Sequence, residues 1–238
     1  MQKNEVNKYL IRHDLNQKQA SVEIYRALRK FCEDYPNSDP MVIVEAYRKV
    51  YAKISYSEAE ATWDDEIQPV LNGMLSKSAE QIGKLYFWRT EIARFFEAII
   101  RPIALSVADT TIKLLQQLNL SPETPKNERR EILVEFLEKQ KGRAINLGRT
   151  AATQAMNRGA LMAMVSSGLP WKKAWVAIKD ERTRNAHLEM NSDSYIELDQ
   201  PFIVGGELML FPADGSLGAS VGNIANCRCG MTFKLGRR

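Results

Sequence analysis

Apolar residues recur every three or four positions from about residue 4 to residue 165 of the chain. This spacing places them on one face of a helix, and long β-branched runs are few, so the pattern predicts an almost wholly helical segment. We expect one helix to begin after Asn16 as its N-cap, a second to span residues 40 to 54, and Ser57 to cap a third. Long helices of this kind pack against one another as a bundle.

The segment from residue 63 to residue 118 predicts one or two further long helices, in which Pro69 and Pro102 mark breaks or kinks. A last long helix is expected over residues 127 to 166. Small residues are frequent near its end, which lets another element approach it closely. Gly168 is the expected stop, because glycine adopts the left-handed conformation that commonly follows a helix.

The helical spacing gives way to alternation in "LPWKKAWVAIKD", which predicts a half-buried strand. Beyond it, "SYIEL", "FIVGG", "ELMLF" and "GMTFKL" predict short strands separated by turns, around one short helix in "DERTRNAHLEM" (residues 180 to 190). The sequence therefore predicts an α+β protein. Residues 1 to 166 form a long-helix N-terminal bundle or arm, and residues 167 to 238 form a small C-terminal α+β module with short antiparallel strands.

Composition and charge exclude several classes of protein. With 45% hydrophobic and 26% charged residues, the 238-residue chain matches neither a disordered nor a fibrous protein. Its formal charge of +4 is too small to indicate nucleic-acid binding by itself, and it leaves non-specific contact with DNA open. The N-terminus lacks a secretory pattern, and the most apolar stretch, residues 95 to 108, contains charges. We therefore expect no secretion and no membrane segment.

A polar constellation near the C-terminus is the candidate site. Asp180 occupies the position expected of a helix N-cap, and steps of three and four residues place Arg184 and His187 on one face of the expected helix. The later sequence "NCRC" supplies Cys227 and Cys229, whose side chains point the same way if the segment is extended. An acid, an arginine, an imidazole and two thiols are thus candidates for a common site.

His187, Cys227 and Cys229 are suited to bind zinc. Two features count against it: structural zinc sites normally have four ligands and favour Cys-x-x-Cys spacing, and the other histidine, His13, belongs to the distant helical part. A disulfide between residues two positions apart would be strained. We therefore expect no cofactor and no metal, and zinc on these three residues is the alternative.

Five short pieces of the C-terminal third, in this order, resemble the phage Mu F-like minor head proteins, a family also called the phage head morphogenesis domain. The resemblance spans about residues 143 to 233 and departs from the family pattern at Ala151, where an acidic residue is common. The pieces are "RTAATQAMNRG" (149 to 159), "KKAWVAIKDERTRNAH" (172 to 187), "PF" (201 and 202), "MLFPAD" (209 to 214) and "NCRC" (226 to 229).

The resemblance implies a non-enzymatic protein of the virion. Such proteins associate with the portal, are packaged inside the head in small numbers, and support head assembly and DNA packaging or delivery. Scaffold or major capsid protein is a further expected partner, and the host cytoplasm is the expected location during assembly. The alternative is a metal-dependent nuclease or a transferase-like effector in which His187, Asp180 and Arg184 act on nucleic acid or a nucleotide, although no complete catalytic signature accompanies them.

We expect the two C-terminal stretches to form one structural site, because a small module needs its buried polar groups satisfied. An arginine should donate to loop carbonyls or to an acid, His187 should bond to the loop backbone, and the cysteines should behave as small buried apolar groups. A separation of more than about 10 Å between His187 and Cys227 would exclude this site. The expected members are Asp180, Arg182, Arg184, His187, Asn226, Cys227 and Cys229.

Overall fold

The computed structural model describes residues 3–72, 80–118, 120, 123–190 and 192–236. Long helices come first and short antiparallel strands last, which confirms the predicted α+β fold. The helices are α1 (Lys3–Glu33), α2 (Met41–Thr62), α3 (Gln68–Asn72), α4 (Glu80–Phe95), α5 (Arg101–Gln116), α6 (Lys126–Ser166), α7 (Asn185–Leu188) and α8 (Val221–Ile224). The strands are β1 (Trp171–Val176), β2 (Ile196–Glu197), β3 (Phe202–Val204), β4 (Glu207–Met209) and β5 (Gly230–Leu235).

Two predicted helix starts are wrong, because α1 and α2 are longer than the apolar pattern indicated. Asn16 lies inside α1, and Ser57 lies inside α2. The buried stripe of α1 continues upstream of Asn16 through His13, and it includes Gln17 downstream. In α2 the buried face continues in the same way through Glu58. Apolar spacing alone does not detect a buried stripe that is partly polar.

Both prolines predicted to interrupt helices follow a widened, π-helical turn. The turn Trp63–Ile67 precedes Pro69, and the turn Phe96–Ile100 precedes Pro102. After each turn the next backbone N–H donates to the carbonyl five residues back. Proline has no N–H, and its ring crowds the carbonyl four residues back, so a widened turn lets the helical path continue past it.

Two glycines bring α6 into close contact with α1 and α2. A β-carbon on Gly148 would lie 2.5 Å from the Ser21 backbone, and one on Gly159 would lie 2.2 Å from the Ser55 carbonyl oxygen. Only glycine therefore permits this helix spacing, as the small residues of α6 predicted. The helix ends before Gly168, whose φ of +65° is left-handed, as expected.

β1 is the central strand of a three-stranded antiparallel sheet. β5 pairs with it from Trp171 opposite Leu235 to Val176 opposite Gly230, and β2 pairs along its other edge. β3 and β4 form a separate two-stranded hairpin. Because Val176 ends β1 where Gly230 begins β5, the segment leading to α7 and the NCRC loop meet at the same end of the sheet.

A continuous hydrophobic core extends from the helices into the C-terminal strands. Buried residues of α1, α2 and α6 form one cluster with Trp175, Phe202 and both cysteines of the NCRC loop. The ring of Phe95 in α4 lies 5.8 Å from the ring of Phe211, centroid to centroid. Within the described ranges, no helix is long and apolar enough to cross a bilayer.

Candidate functional site

Buried polar residues of α6 join the C-terminal loops to the helical part. The Thr153 hydroxyl donates to the Cys227 carbonyl at 2.7 Å, and the Asn157 amide donates to the Cys229 carbonyl at 3.1 Å. The neighbouring Gln154 amide donates to the Ala213 carbonyl at 2.9 Å. All three side chains are buried, so they satisfy loop carbonyls that bulk water does not reach. Hydrogen bonds thus connect "RTAATQAMNRG" to both "MLFPAD" and "NCRC".

His13 lies directly behind this contact and is not remote from the site. Its Nε2 is 2.9 Å from the Thr153 hydroxyl oxygen and 3.1 Å from the Gln17 amide nitrogen. Burial, followed by the positive charge of Arg228, lowers the pKa of His13 to about 4. The ring is therefore neutral near pH 7. The expectation that His13 belongs to a distant part of the protein is wrong, because α1 packs along α6.

His187, Cys227 and Cys229 form a buried cluster. The Nδ1 atom of His187 lies 3.4 Å from the Sγ of Cys229 and 3.7 Å from the Sγ of Cys227. The three residues expose 1%, 2% and 2% of their surface, respectively. The edge of the Trp175 ring packs against the imidazole, with 5.4 Å between centroids. The two C-terminal stretches therefore lie together, as the expected packing requires.

Asn223 fixes the orientation of the His187 ring. Its Nδ2 donates to the Val204 carbonyl at 2.9 Å and to the Glu207 carboxylate at 3.0 Å. Its Oδ1 consequently faces the Nε2 of His187, 2.7 Å away, as an acceptor. Nε2 therefore carries a proton, and Nδ1 is directed at the sulfur atoms. The expected bond from His187 to the loop backbone is wrong, because the acceptor is a side chain of α8, a helix that the sequence analysis did not predict.

The pKa values of the two thiols in the cluster are shifted in opposite directions. A hydrogen bond from the Cys227 thiol lowers the pKa of Cys229. The same bond, together with burial, raises the pKa of Cys227 well above its usual value. Burial lowers the pKa of His187, but hydrogen bonds with Cys229 and Asn223 outweigh it and leave that pKa above its usual value. The cysteines are buried as expected, but both sulfur atoms contact Nδ1 of His187, so they are not simple apolar groups.

Asp180 and Arg228 form a two-point ion pair beside the cluster. The guanidinium of Arg228 donates to both carboxylate oxygens, at 2.5 and 2.6 Å. This pairing is the main reason that the pKa of Asp180 lies well below its usual value. Asp180 is not the predicted N-cap, because α7 begins only at Asn185. Its carboxylate instead accepts from the Arg182 backbone N–H at 3.0 Å, and such local bonds compete with helix formation.

The remaining predicted residues surround the cluster. Arg184 donates to the Ala225 carbonyl at 2.5 Å, as expected of an arginine that binds the loop. The side chain of Arg182 forms an exposed ion pair of 3.7 Å with Asp180. Asn226 adopts a left-handed φ of +54°, and its backbone N–H donates to the Thr150 hydroxyl at 3.0 Å. Asparagine tolerates this conformation better than most residues, which accounts for its place at the start of the NCRC loop.

Two buried charged residues that the sequence analysis missed hold other loops of the C-terminal module. The Nζ of Lys173 donates to the carbonyls of Leu198 and Leu210, both at 2.7 Å, and burial lowers its pKa to about 8. Asp214 accepts from the backbone N–H of Leu210 at 2.8 Å. A sequence signal was present for the lysine: strand alternation places Lys173 on the same side of β1 as the buried Trp175.

His187 and the two cysteines carry the groups of the site that are suited to bind a metal ion. In the portion of the chain that the structure describes, these three residues form the group that could hold a metal ion, because their ligand atoms all lie within 4.8 Å of one another. Their burial leaves a substrate no access to the imidazole or the thiolate. No protein-family model, curated protein or solved structure matches the chain. We therefore infer function from the geometry of the site and from the sequence motifs.

Proposed function

We propose that this protein is a phage minor head protein that associates with the portal, is incorporated in the capsid, and supports head assembly and DNA packaging or delivery. The observation that carries the proposal is the hydrogen bonding of Thr153 and Asn157 to the NCRC loop. Pieces that belong to one family domain are expected to pack together. Their mutual contact therefore supports the resemblance to the phage Mu F-like family.

The same geometry lends little support to the enzymatic alternative. A catalytic acid or base must come within hydrogen-bonding distance of its substrate, yet His187 is 1% exposed. Both carboxylate oxygens of Asp180 accept from Arg228, and Arg184 donates to the Ala225 carbonyl. All three candidate residues thus make contacts inside the C-terminal module, which is the arrangement of a structural site.

The helical part offers a groove suited to a partner helix. It lies between α2 and α4, has a volume of about 660 Å³, and includes Ala52, Tyr56 and Ala93 as its accessible apolar lining residues. An amphipathic helix of the portal protein would place its apolar face against these side chains. Basic residues outnumber acidic ones in the groove, which favours a partner helix with acidic flanks. The charged lining residues are Arg48, Lys53 and Arg89 against Glu60 and Glu97.

The test is co-expression of the full chain with the portal protein encoded beside it, followed by affinity purification through a tag on the portal. The wild-type chain should co-purify. Ala93→Glu places a carboxylate at an exposed position of the groove, against the apolar face and the acidic flanks of the partner helix, and it should weaken retention about tenfold or more, which corresponds to about 1.4 kcal/mol or more. Ala98→Glu is the matched control, because this exposed alanine of the following turn does not line the groove.

Two outcomes would contradict the proposal. The first is a wild-type chain that neither co-purifies with the portal nor is found in purified heads. The second is cleavage of DNA by the purified protein in the presence of divalent metal, lost in His187→Ala, which would favour the enzymatic alternative. Equal retention of Ala93→Glu and Ala98→Glu would exclude the groove as the contact.

A further inference from the structure

We infer that His187, Cys227 and Cys229 bind one zinc ion, which fastens the NCRC loop to α7. This zinc site is separate from the proposed portal contact, because the ion would hold the C-terminal module together. One nitrogen and two sulfur atoms, contributed by two distant segments of the chain, lie within 4.8 Å of one another in a buried cluster.

The distances from the imidazole nitrogen to the two sulfur atoms match the nitrogen–sulfur edges of a zinc tetrahedron. With Zn–S near 2.3 Å and Zn–N near 2.0–2.1 Å, tetrahedral angles separate a nitrogen from a sulfur ligand by about 3.6 Å. The Nδ1 atom of His187 lies 3.4 Å from Sγ of Cys229 and 3.7 Å from Sγ of Cys227. Zinc therefore requires only small shifts of either sulfur relative to the imidazole.

The hydrogen bonds around His187 are those of a metal ligand. A metal-binding histidine usually donates its other ring N–H to an oxygen acceptor, which fixes the ring and its tautomer. Here Nε2 faces the Oδ1 of Asn223 at 2.7 Å, and Glu207 in turn accepts from the Asn223 amide at 3.0 Å. This chain of bonds points the lone pair of Nδ1 at the two sulfur atoms whenever that nitrogen is deprotonated.

Charge favours zinc over other soft cations. Zn²⁺ with two thiolates and a neutral imidazole has no net charge, whereas Cu⁺ with the same ligands would leave a buried negative charge, which is costly. On binding, Zn²⁺ displaces any proton carried by the sulfur atoms of Cys227 and Cys229 or by Nδ1 of His187, and these protons are released to solvent. The neutral product suits a cluster that is almost fully buried.

A missing fourth protein ligand does not exclude the site. Within the described residues, no fourth histidine, cysteine or carboxylate joins the cluster, so the fourth position falls to a water molecule. An open position of this kind serves catalysis only when substrate reaches it. Since Cys227 and Cys229 each expose 2% of their surface and His187 exposes 1%, the ion is structural.

The test begins with the metal content of the full-length protein, purified without chelator from cells grown with added zinc. Elemental analysis should find about one zinc per chain. After removal of the metal, titration with Co²⁺ should produce thiolate-to-cobalt charge-transfer bands and the visible bands of tetrahedral cobalt, and Zn²⁺ should abolish both. This titration uses the wild-type chain, so it is decisive even if the ligand variants fold poorly.

The ligands are assigned with matched cysteine variants. Cys227→Ser and Cys229→Ser should each lose stoichiometric zinc, whereas Cys32→Ser should retain it, because Cys32 is a buried cysteine of α1 outside the cluster. The inference is overturned if the wild-type protein contains copper or no metal and the metal-free protein gives no cobalt–thiolate bands. It is also overturned if Cys229→Ser keeps its zinc, which would identify the metal as adventitious. Portal retention, measured in parallel, tests the proposed function separately.

Discussion

The hydroxyl of Thr153 donates a hydrogen bond of 2.7 Å to the carbonyl of Cys227, 74 residues further along the chain. The bond fixes the NCRC loop to α6, and His13 of α1 contacts the same hydroxyl oxygen at 2.9 Å. Three segments that are distant in sequence therefore meet at one side chain. The helices and the C-terminal module are thus joined by hydrogen bonds as well as by the shared hydrophobic core.

Replacing this hydroxyl should destabilise the whole protein. Thr153→Val keeps the shape of the side chain but leaves the buried Cys227 carbonyl without its donor, which costs about 1–3 kcal/mol. Denaturation in urea should reveal the loss. Thr110→Val is the control, because the Thr110 hydroxyl is exposed and donates to the Ser106 carbonyl of its own helix. Equal stability of the two variants would show that the Thr153 bond contributes nothing.

The close approach of α6 to α2 gives a second prediction. Gly159→Ala would place a β-carbon 2.2 Å from the Ser55 carbonyl oxygen, so the helices must move apart, at a cost of about 1–3 kcal/mol. Gly142→Ala, on the same helix, has nothing within 4 Å of the new β-carbon. It should stabilise the protein by about 0.5–1 kcal/mol, because alanine favours a helix. Thermal unfolding should show a lower melting temperature for Gly159→Ala and a higher one for Gly142→Ala. A Gly159→Ala protein as stable as wild type would contradict the close packing.

The ion pair of Asp180 and Arg228 should make stability depend on pH in the acidic range. The pKa of Asp180 is lowered in the folded protein, so its contribution is complete above the unfolded pKa of about 3.9 and is lost as pH falls towards the folded pKa. Asp180→Asn should therefore lower the melting temperature at pH 7, and the difference from wild type should shrink below about pH 4. Glu181→Gln, at the exposed neighbour, is the control. A difference that stays constant with pH would contradict this role.

The fold could largely be predicted from apolar spacing, and the exceptions have a common cause. Strand β1 and helix α6 follow the pattern because packing decides their buried faces. The start of α1 was misplaced because His13 and Gln17 occupy its buried face as polar residues. Their hydrogen bonds to distant groups are visible only once the chain is folded, so a local pattern does not reveal them.

The candidate site could also be predicted only in part, because some of its contacts depend on the folded chain. The chemistry of His187 and its cysteines indicated that they belong together, and the structure places their ligand atoms within 4.8 Å of one another. The role of Asn223 could not be predicted, because its partners are set by the hairpin of β3 and β4 and by α8. Asp180 was expected at a helix N-cap, but its carboxylate instead accepts from the Arg182 backbone N–H in a local turn and from the Arg228 guanidinium.

Removing the imidazole tests whether the cluster stabilises the module. His187→Ala should lower the free energy of unfolding by roughly 1–3 kcal/mol, the usual cost of a lost buried contact, when measured with chelator so that no metal contributes. Cys227→Ala should behave similarly, since its sulfur is packed against the same ring. Leu188→Ala, at the exposed residue next to His187, is the control. Wild-type stability in both cluster variants would contradict a structural role.

We propose that the two C-terminal stretches form a structural site that takes no direct part in the proposed contact with the portal. Portal co-purification of His187→Ala, at a temperature well below its melting point and with circular dichroism to verify that the chain is folded, tests this claim. The variant should be less stable than wild type yet be retained on the portal to the same extent. A folded His187→Ala protein that no longer co-purifies with the portal would contradict the claim, because the site would then take part in binding directly.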